Sequence, residues 1–279
     1  MVRDVLKASL RKLLGLVGLE IRRISPRSEG RGPRDSLLQA LRQAKAVGFS
    51  PQTVIDVGAA YGSFTGQCNT VFPDARYVLV EPLEEYRPLL EQLRKTMPSS
   101  QCVCAAAASN SGEIEINVHP DLVGSSLYSE VEKGTDVNGV PRRVRSVTID
   151  SVVQETGAKG PFLLKLDVQG AELDVLKGAE EVLRECQYAI LEVSFFRFFQ
   201  DGPDCCEIIA YMKERGFVPY DIVGLQYRPL DQALSQADIT FVKEAGPFRQ
   251  HHFYATPQQR EAQNQQMKSH LTELFGRRR

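Results

Sequence analysis

The stretch Thr53-Val-Ile-Asp-Val-Gly-Ala-Ala-Tyr-Gly-Ser63 decides the fold. Its β-branched run closing on Asp56 predicts a buried strand. Gly58 and Gly62 predict a turn, and the amphipathic residues after them predict a helix. In an α/β sheet such a strand–turn–helix junction is where nucleotide-like ligands bind. The dinucleotide fingerprint G-x-G-x-x-G sets its glycines close together so that the backbone can approach a pyrophosphate. This chain has D-x-G-x-x-x-G instead, an acid followed by only two glycines. An acid at that point repels phosphate and welcomes a cation. S-adenosylmethionine carries an ammonium and a sulfonium and no phosphate, so methyl transfer is the expected chemistry. A nicotinamide-dependent oxidoreductase is the rival enzyme, and the missing third glycine and Asp56 speak against it. A non-catalytic module that binds the cofactor or a partner is the third reading.

Working outward, strand and helix patterns alternate from Gln52 onward. Strands are expected at 53–57, 76–81, 101–106, 161–167, 187–193, 217–223 and 238–243. Helices are expected at 63–71, 84–96, 171–184 and 204–215. The runs at 161–167 and 187–193 are almost continuously apolar, as in strands covered on both faces. The alternation implies an α/β fold with a parallel sheet and helices on both sides. Residues 112–118 alternate with period two, and so does the run Arg143-Val-Arg-Ser-Val-Thr148. The segment 112–149 therefore reads as an insertion after the third strand, lying over the cofactor edge.

Candidate site residues follow from where these elements end. Asp56 is expected to pair with a ligand ammonium, directly or through water. Gly58 and Gly62 would let the turn and the helix start approach the ligand, with Ala60 and Tyr61 between them in the same cofactor-binding set. Glu81 closes the second strand 25 residues after Asp56, where an acid accepts hydrogen bonds from ribose hydroxyls. Ala106, in the small-residue run Ala105–Ser109, would let an adenine ring lie flat, with simple close packing equally open. Asp167 sits at the carboxyl end of the fourth strand, where open α/β sheets bind ligands. It could hold the methionine amino group, orient an acceptor hydroxyl or take its proton. Glu192, ending the fifth strand, is the second catalytic candidate, with a structural role equally open. Glu172 and Asp174 read as first-turn acids matched to a helix dipole. Phe195, Phe196, Phe198 and Phe199 form either an aromatic wall or core, core being favoured. His119 is a minor candidate for a base, and His251 and His252 read as inert. No carboxylate set at recognisable spacing points to a metal.

With these segments in hand, the chain resembles the FkbM family of S-adenosylmethionine-dependent methyltransferases. The matching pieces are Ile55-Asp-Val-Gly-Ala59, Glu81-Pro82, Gly124-Ser-Ser-Leu127, Val147-Thr-Ile-Asp150, Lys165-Leu-Asp-Val-Gln-Gly-Ala-Glu172 and Asp238-Ile-Thr-Phe-Val242. The resemblance implies a class I, Rossmann-like seven-stranded sheet, mostly parallel with an antiparallel last strand. It implies O-methylation of a sugar, glycan or glycolipid precursor, or of a secondary metabolite. It also implies cofactor contact by Asp56, Gly58, Gly62 and Glu81, with Asp167 near the reaction centre. Where this chain has Gln169, many members have Glu and others Gln.

Composition bounds the rest. The 279 residues are 42% hydrophobic and 25% charged with a net charge of −1, which gives no bulk basicity for nucleic acid. Residues 1–34 carry nine Lys or Arg and three acids, a balance of +6 that leaves −7 for the remainder. Residues 2–17 have the pattern of a basic amphipathic helix. It would either lie on an anionic membrane surface or dock onto protein, docking being favoured. Residues 25–33 read as a linker and 35–47 as a lead-in helix. The expected division is 1–48, a methyltransferase domain over 49–245, and a tail over 246–279 with a helix at 257–275. The six cysteines lack zinc spacing and read as free, mostly buried thiols. With no cleavable signal and no run of about 18 apolar residues, the expected place is the cytoplasm, including the inner face of a membrane. The acceptor is a small molecule or glycan, and the oligomeric state is left open.

Overall fold

The strand Thr53–Val57 (β1) is buried at all five positions, because parallel neighbours flank it on both sides. These are β2 (Arg76–Val80) and β7 (Phe162–Leu166). Beyond them lie β3 (Ser100–Val103) on one side and β8 (Cys186–Ser194) on the other, then β10 (Leu234–Lys243) and β9 (Phe217–Tyr227). The order is β3-β2-β1-β7-β8-β10-β9. The last strand in the chain, β10, is antiparallel to both of its neighbours, as expected for a class I methyltransferase sheet. The computed structural model describes residues 35–276. The helix expected over 2–17 and the linker over 25–33 lie outside the described residues.

Alternating strand residues feed two cores, one on each face of the sheet. Ile55, Val57, Leu164 and Leu166 pack with Val152, Val175, Val182, Ile208 and Met212 of the helices Ile149–Thr156, Glu172–Lys177, Glu180–Glu185 and Cys205–Glu214. Val54, Leu163 and Ile190 pack on the other side with Leu41, Cys68 and Leu90 of the helices Leu37–Ala46, Ser63–Val71 and Arg87–Thr96. Covering both faces explains the apolar runs.

Four features depart from expectation. The third strand ends at Val103 rather than 106: the chain kinks at Cys104, and Ala106–Ala107 (β4) leaves the main sheet. β4 joins β5 (Gly112–Val118) and β6 (Val140–Val147) in a second sheet of order β4-β6-β5. The helix expected over 171–184 is broken at Gly178, where a Cβ would strike the backbone carbonyl of Ala108 and where the carbonyl oxygen accepts from the Asp150 N–H at 3.0 Å. The helix Ile149–Thr156 has no counterpart among the expected elements. Thr148 caps it by accepting from the Ser151 N–H, and Gly157 stops it in the left-handed region at φ 64°. Asp150 in turn accepts from the N–H groups of Glu181 and Val182 at 3.1 and 2.9 Å, satisfying the first turn of the helix Glu180–Glu185. Finally, β9 and β10 run past their expected limits, through register shifts around Gln236, and so carry Gln226 and Gln236 toward the end of β8.

The terminal helix Pro257–Gly276 is exposed from Pro257 to Phe275. All six cysteines are free; Cys68, Cys186 and Cys205 are buried, while Cys104 and Cys206 are exposed. Among the described residues no helix is long and apolar enough to cross a membrane.

Candidate active site

A cleft opens beyond the carboxyl ends of β1, β2 and β7, where Val57-Gly58, Val80-Glu81 and Asp167-Val168-Gln169 emerge. Ala106 and Ala107 line it from one side, and Leu122, Val123, Ser125, Ser126 and Leu127 of the insertion roof it. Open solvent at its mouth included, it encloses about 700 Å³, within the range of ligand sites, roughly 300–1,000 Å³.

Gly58 has φ +74°, and a Cβ there would overlap the backbone carbonyl of Asp167. Its glycine is thus required by the approach of the β1 turn to the end of β7. Gly62, at φ +84°, would place a Cβ 2.5 Å from Leu93 Cδ2. The close approach expected toward a ligand is, at Gly62, an approach to the helix Arg87–Thr96. Ala60 lines the cleft with φ +45°. Tyr61 does not; it is exposed, with its ring 6.5 Å from that of the cleft residue Tyr86.

The expectation that Asp56 faces the ligand is corrected. Its side chain lies on the Val54 face of β1, 2% exposed, and accepts a 2.5 Å hydrogen bond from Thr65 Oγ1. It is not among the residues lining the cleft. Burial pushes its carboxyl up to about 6. The physical reason is strand alternation: a residue between the core positions Ile55 and Val57 must point to the opposite face, here into the helix Ser63–Val71.

Glu81 does face the cleft. Oε2 accepts from the Ala60 N–H at 2.8 Å and Oε1 from the Leu83 N–H at 2.9 Å. Both oxygens are therefore fixed, and each keeps acceptor capacity. Burial pushes this carboxyl up to about 7 against those two hydrogen bonds.

Lys165 is the residue whose importance the sequence reading passes over. It lies inside β7, 2% exposed, with Nζ 3.1 Å from Asp167 Oδ2 and 3.2 Å from Asp238 Oδ1. The signal is present in the sequence: a lysine in Phe-Leu-Leu-Lys-Leu, buried on both faces, needs a carboxylate partner. Burial alone would lower its pKa, but Asp167, Asp238 and Glu192 together hold it above the ordinary lysine value. Burial would likewise raise Asp167, and Lys165 outweighs it, so this carboxyl lies below the usual range and is ionised.

Glu192 is 8% exposed and stands one layer behind the cleft wall. Three amides donate to it: Gln169 Nε2 and Gln236 Nε2 to Oε2 at 3.0 and 3.1 Å, and Gln226 Nε2 to Oε1 at 3.0 Å. Burial and the neighbouring Asp167 charge push it up to about 8. Gln169 bridges the two acids, since the same Nε2 donates to Asp167 Oδ1 at 3.0 Å. Glu172 is buried, pushed up to about 7 by burial, and accepts from the Gly170 N–H.

The remaining candidates lie elsewhere. Phe199 is buried against Gly170 and Gly202, and Phe196 lies under the Arg228 guanidinium at 3.8 Å. None of the four phenylalanines lines the cleft. His119 is paired with Asp121 at 2.6 Å in the roof loop.

These raised carboxyls fix a pH dependence. Asp56, Glu81, Glu172 and Glu192 bind their protons more tightly folded than unfolded. Their contribution is fully present below the unfolded values, about 4, and is lost as pH rises through 6 to 8. The melting midpoint of ligand-free protein is therefore expected to be lower at pH 8.5 than at pH 5.5. A midpoint that climbs across that interval in a calorimetric series would contradict the assignment.

The sheet order with an antiparallel last strand, and a cleft at its carboxyl edge, are those of the class I methyltransferase fold. Residues 56–219 match the methyltransferase FkbM domain model, more than half of the chain, and the chain belongs to that family. The family's methyl donor is S-adenosylmethionine. Methyltransferase sdnD of Sordaria araneosa is 25% identical over 156 residues, which are 46% of this chain and 60% of sdnD. AMB antimetabolite synthetase AmbE of Pseudomonas aeruginosa is 27% identical over 177 residues, 50% of this chain and 8% of that protein. The chain thus spans less than two thirds of each of these relatives. The solved methyltransferase FkbM from Methylobacillus flagellatus is 16% identical with a TM-score of 0.44, the match covering 67% of this chain and 43% of that one.

Proposed function

We propose that the chain transfers the methyl group of S-adenosylmethionine to a hydroxyl of a sugar, glycan or glycolipid precursor, with Asp167 at the acceptor oxygen. The observation that carries this is an ionised carboxylate at the end of β7, facing the cleft and held by a buried lysine. Such a group orients a hydroxyl and takes its proton, and it repels a carboxylate acceptor. The donor supplies an electrophilic methyl group when bound. Everything else falls to the chain: alignment, exclusion of water by the roof loop 119–128, and a place for the proton.

The residues present fit that donor. Glu81, anchored through Ala60 and Leu83, offers fixed acceptors to two ribose hydroxyls. Ala106, Ala107, Leu83 and Ile116 supply apolar walls for an adenine ring. Among the described residues no lysine or arginine lines the cleft, which suits a ligand without phosphates and disfavours a nicotinamide dinucleotide. Asp56 acts, in this reading, by holding the helix that follows the turn.

Glu81→Gln tests the adenosine half. An amide in place of the carboxylate turns a donor toward one of two backbone donors and weakens the ribose bonds. Loss of charged hydrogen bonds worth about 1.5–3 kcal/mol corresponds to a roughly 10- to 100-fold rise in Kd. Isothermal titration with S-adenosylmethionine reads this directly, and an unchanged Kd would remove Glu81 from the donor site. The acceptor half is tested by methyl transfer from labelled donor to a panel of sugars, nucleotide sugars and lipid-linked sugars. Methylation of a secondary metabolite is the second reading, favoured by the similarity to sdnD, and the same assay with polyketide and terpenoid alcohols decides between them. We further place the enzyme in the cytoplasm, with residues 2–17 as the segment that would reach a membrane or a protein partner.

A further inference from the structure

We propose that Gln169 reads a second hydroxyl of the acceptor, next to the one that is methylated, so that the site selects neutral vicinal diols. This rests on the methyltransferase reading above and on Asp167 lying at the reacting hydroxyl. Gln169 lines the cleft from a left-handed backbone position at φ 50°, and its carbonyl accepts from Ser126 Oγ at 2.6 Å. The side chain therefore projects from a base fixed on both sides, by β7 and by the roof loop.

The orientation of its amide follows from chemistry. Nε2 lies 3.0 Å from Asp167 Oδ1 and 3.0 Å from Glu192 Oε2. Asp167, ion-paired to Lys165, can only accept, so the amide nitrogen and not its oxygen must stand there. The two amide hydrogens are used by the two acids. Oε1 is left at the opposite end of the planar amide, and among the described residues it has no donor. Glu192 cannot turn away to release the amide, because Gln226 and Gln236 hold it from behind.

The acceptor end of the cleft thus presents hydrogen-bond acceptors: the spare lone pairs of Asp167 and, one amide away, Oε1 of Gln169. Since no lysine or arginine among the described residues lines the cleft, a phosphate or carboxylate at this point meets no cation. Two acceptors side by side match two O–H donors on adjacent carbons. The second hydroxyl does not react; it fixes which of the two oxygens faces the methyl group. The other ligand group rich enough in N–H to claim this pair is the ammonium of the methyl donor, and the experiment separates the two.

The 279-residue chain saturated with S-adenosylhomocysteine is titrated with methyl α-D-mannopyranoside and methyl α-D-glucopyranoside, and with their 2-deoxy and 3-deoxy counterparts, by ligand-observed NMR. We expect at least one parent glycoside to bind about 10-fold more tightly than its deoxy counterparts, the worth of about one hydrogen bond to a charged or buried polar group. Gln169→Leu should bind the parent and one of its two deoxy counterparts alike, the other hydroxyl still being held by Asp167, with a calorimetric Kd for S-adenosylhomocysteine within 2-fold of wild type. If wild-type protein binds S-adenosylhomocysteine but shows no diol preference in either series, this proposal alone is overturned. It is also overturned if Gln169→Leu keeps the preference over both deoxy counterparts, and an accompanying loss of about 10-fold or more in S-adenosylhomocysteine affinity then gives Oε1 to the ammonium. Failure of wild-type protein to bind S-adenosylhomocysteine overturns both readings.

Discussion

Asp167→Asn is expected to lower kcat for methyl transfer by about 10²- to 10⁴-fold, the range for removal of a group that takes a proton in the transition state. The Kd for S-adenosylmethionine should stay within a few fold. The substitution removes one charge and almost no volume, so the cleft keeps its shape. What changes is the polarity of the contacts. The amide nitrogen introduced at this position would face either Lys165 Nζ, now 3.1 Å from Oδ2, or Gln169 Nε2, now 3.0 Å from Oδ1; both are donors. The acceptor hydroxyl loses the carboxylate that aligns it, and Lys165 is left to Asp238 and Glu192 alone. Glu192, pushed up partly by the Asp167 charge, then loses that cause and its pKa falls. Single-turnover rates with labelled donor, set beside calorimetric donor binding, separate the two effects. A variant with kcat within 10-fold of wild type would leave Asp167 a scaffold residue, and the search for the base would move to the roof loop.

The sheet was legible because its signals are local. Period, apolar runs and glycine turns are written within a few residues of where they act, and β1, β2, β7 and β8 fall at their expected places. The errors came where a distant segment decided the outcome. Gly178 breaks a well-patterned helix because Ala108, seventy residues earlier, lies against it. Cys104 turns the chain out of the sheet because β6 offers Ala106–Ala107 a second partner. In the site, Glu81 and Asp167 were readable since strand ends at the carboxyl edge must face the cleft. Asp56 was misread by one residue of pleat: its neighbour Val57 lines the cleft while Asp56 looks the other way. Gln226 and Gln236 carried no signal at all, because only the bulges of the β9–β10 pair bring them to Glu192.

Lys165→Met should cost about 3–5 kcal/mol, the range for removing one partner of a buried ion pair. The size comes from what remains. Asp167 and Asp238 would face each other across the methionine with no cation, and Glu192 stands close enough to add a third acid. For Asp167, burial raises the carboxyl and Lys165 is what reverses it; without Lys165 the direction is upward for all three. Folded-state values above the unfolded ones mean that the variant keeps its stability below about pH 4 and loses it as pH rises through the new values. The gap between wild type and variant should accordingly be small at pH 4.5 and wide at pH 7.5, measured as urea midpoints. Adding Asp238→Asn to Lys165→Met removes one of the stranded charges and should recover part of the loss at pH 7.5 while changing little at pH 4.5. A gap independent of pH, or a double variant no better than the single one, would show that Lys165 matters for its packing in β7 and that the charge on Asp167 is held by something else.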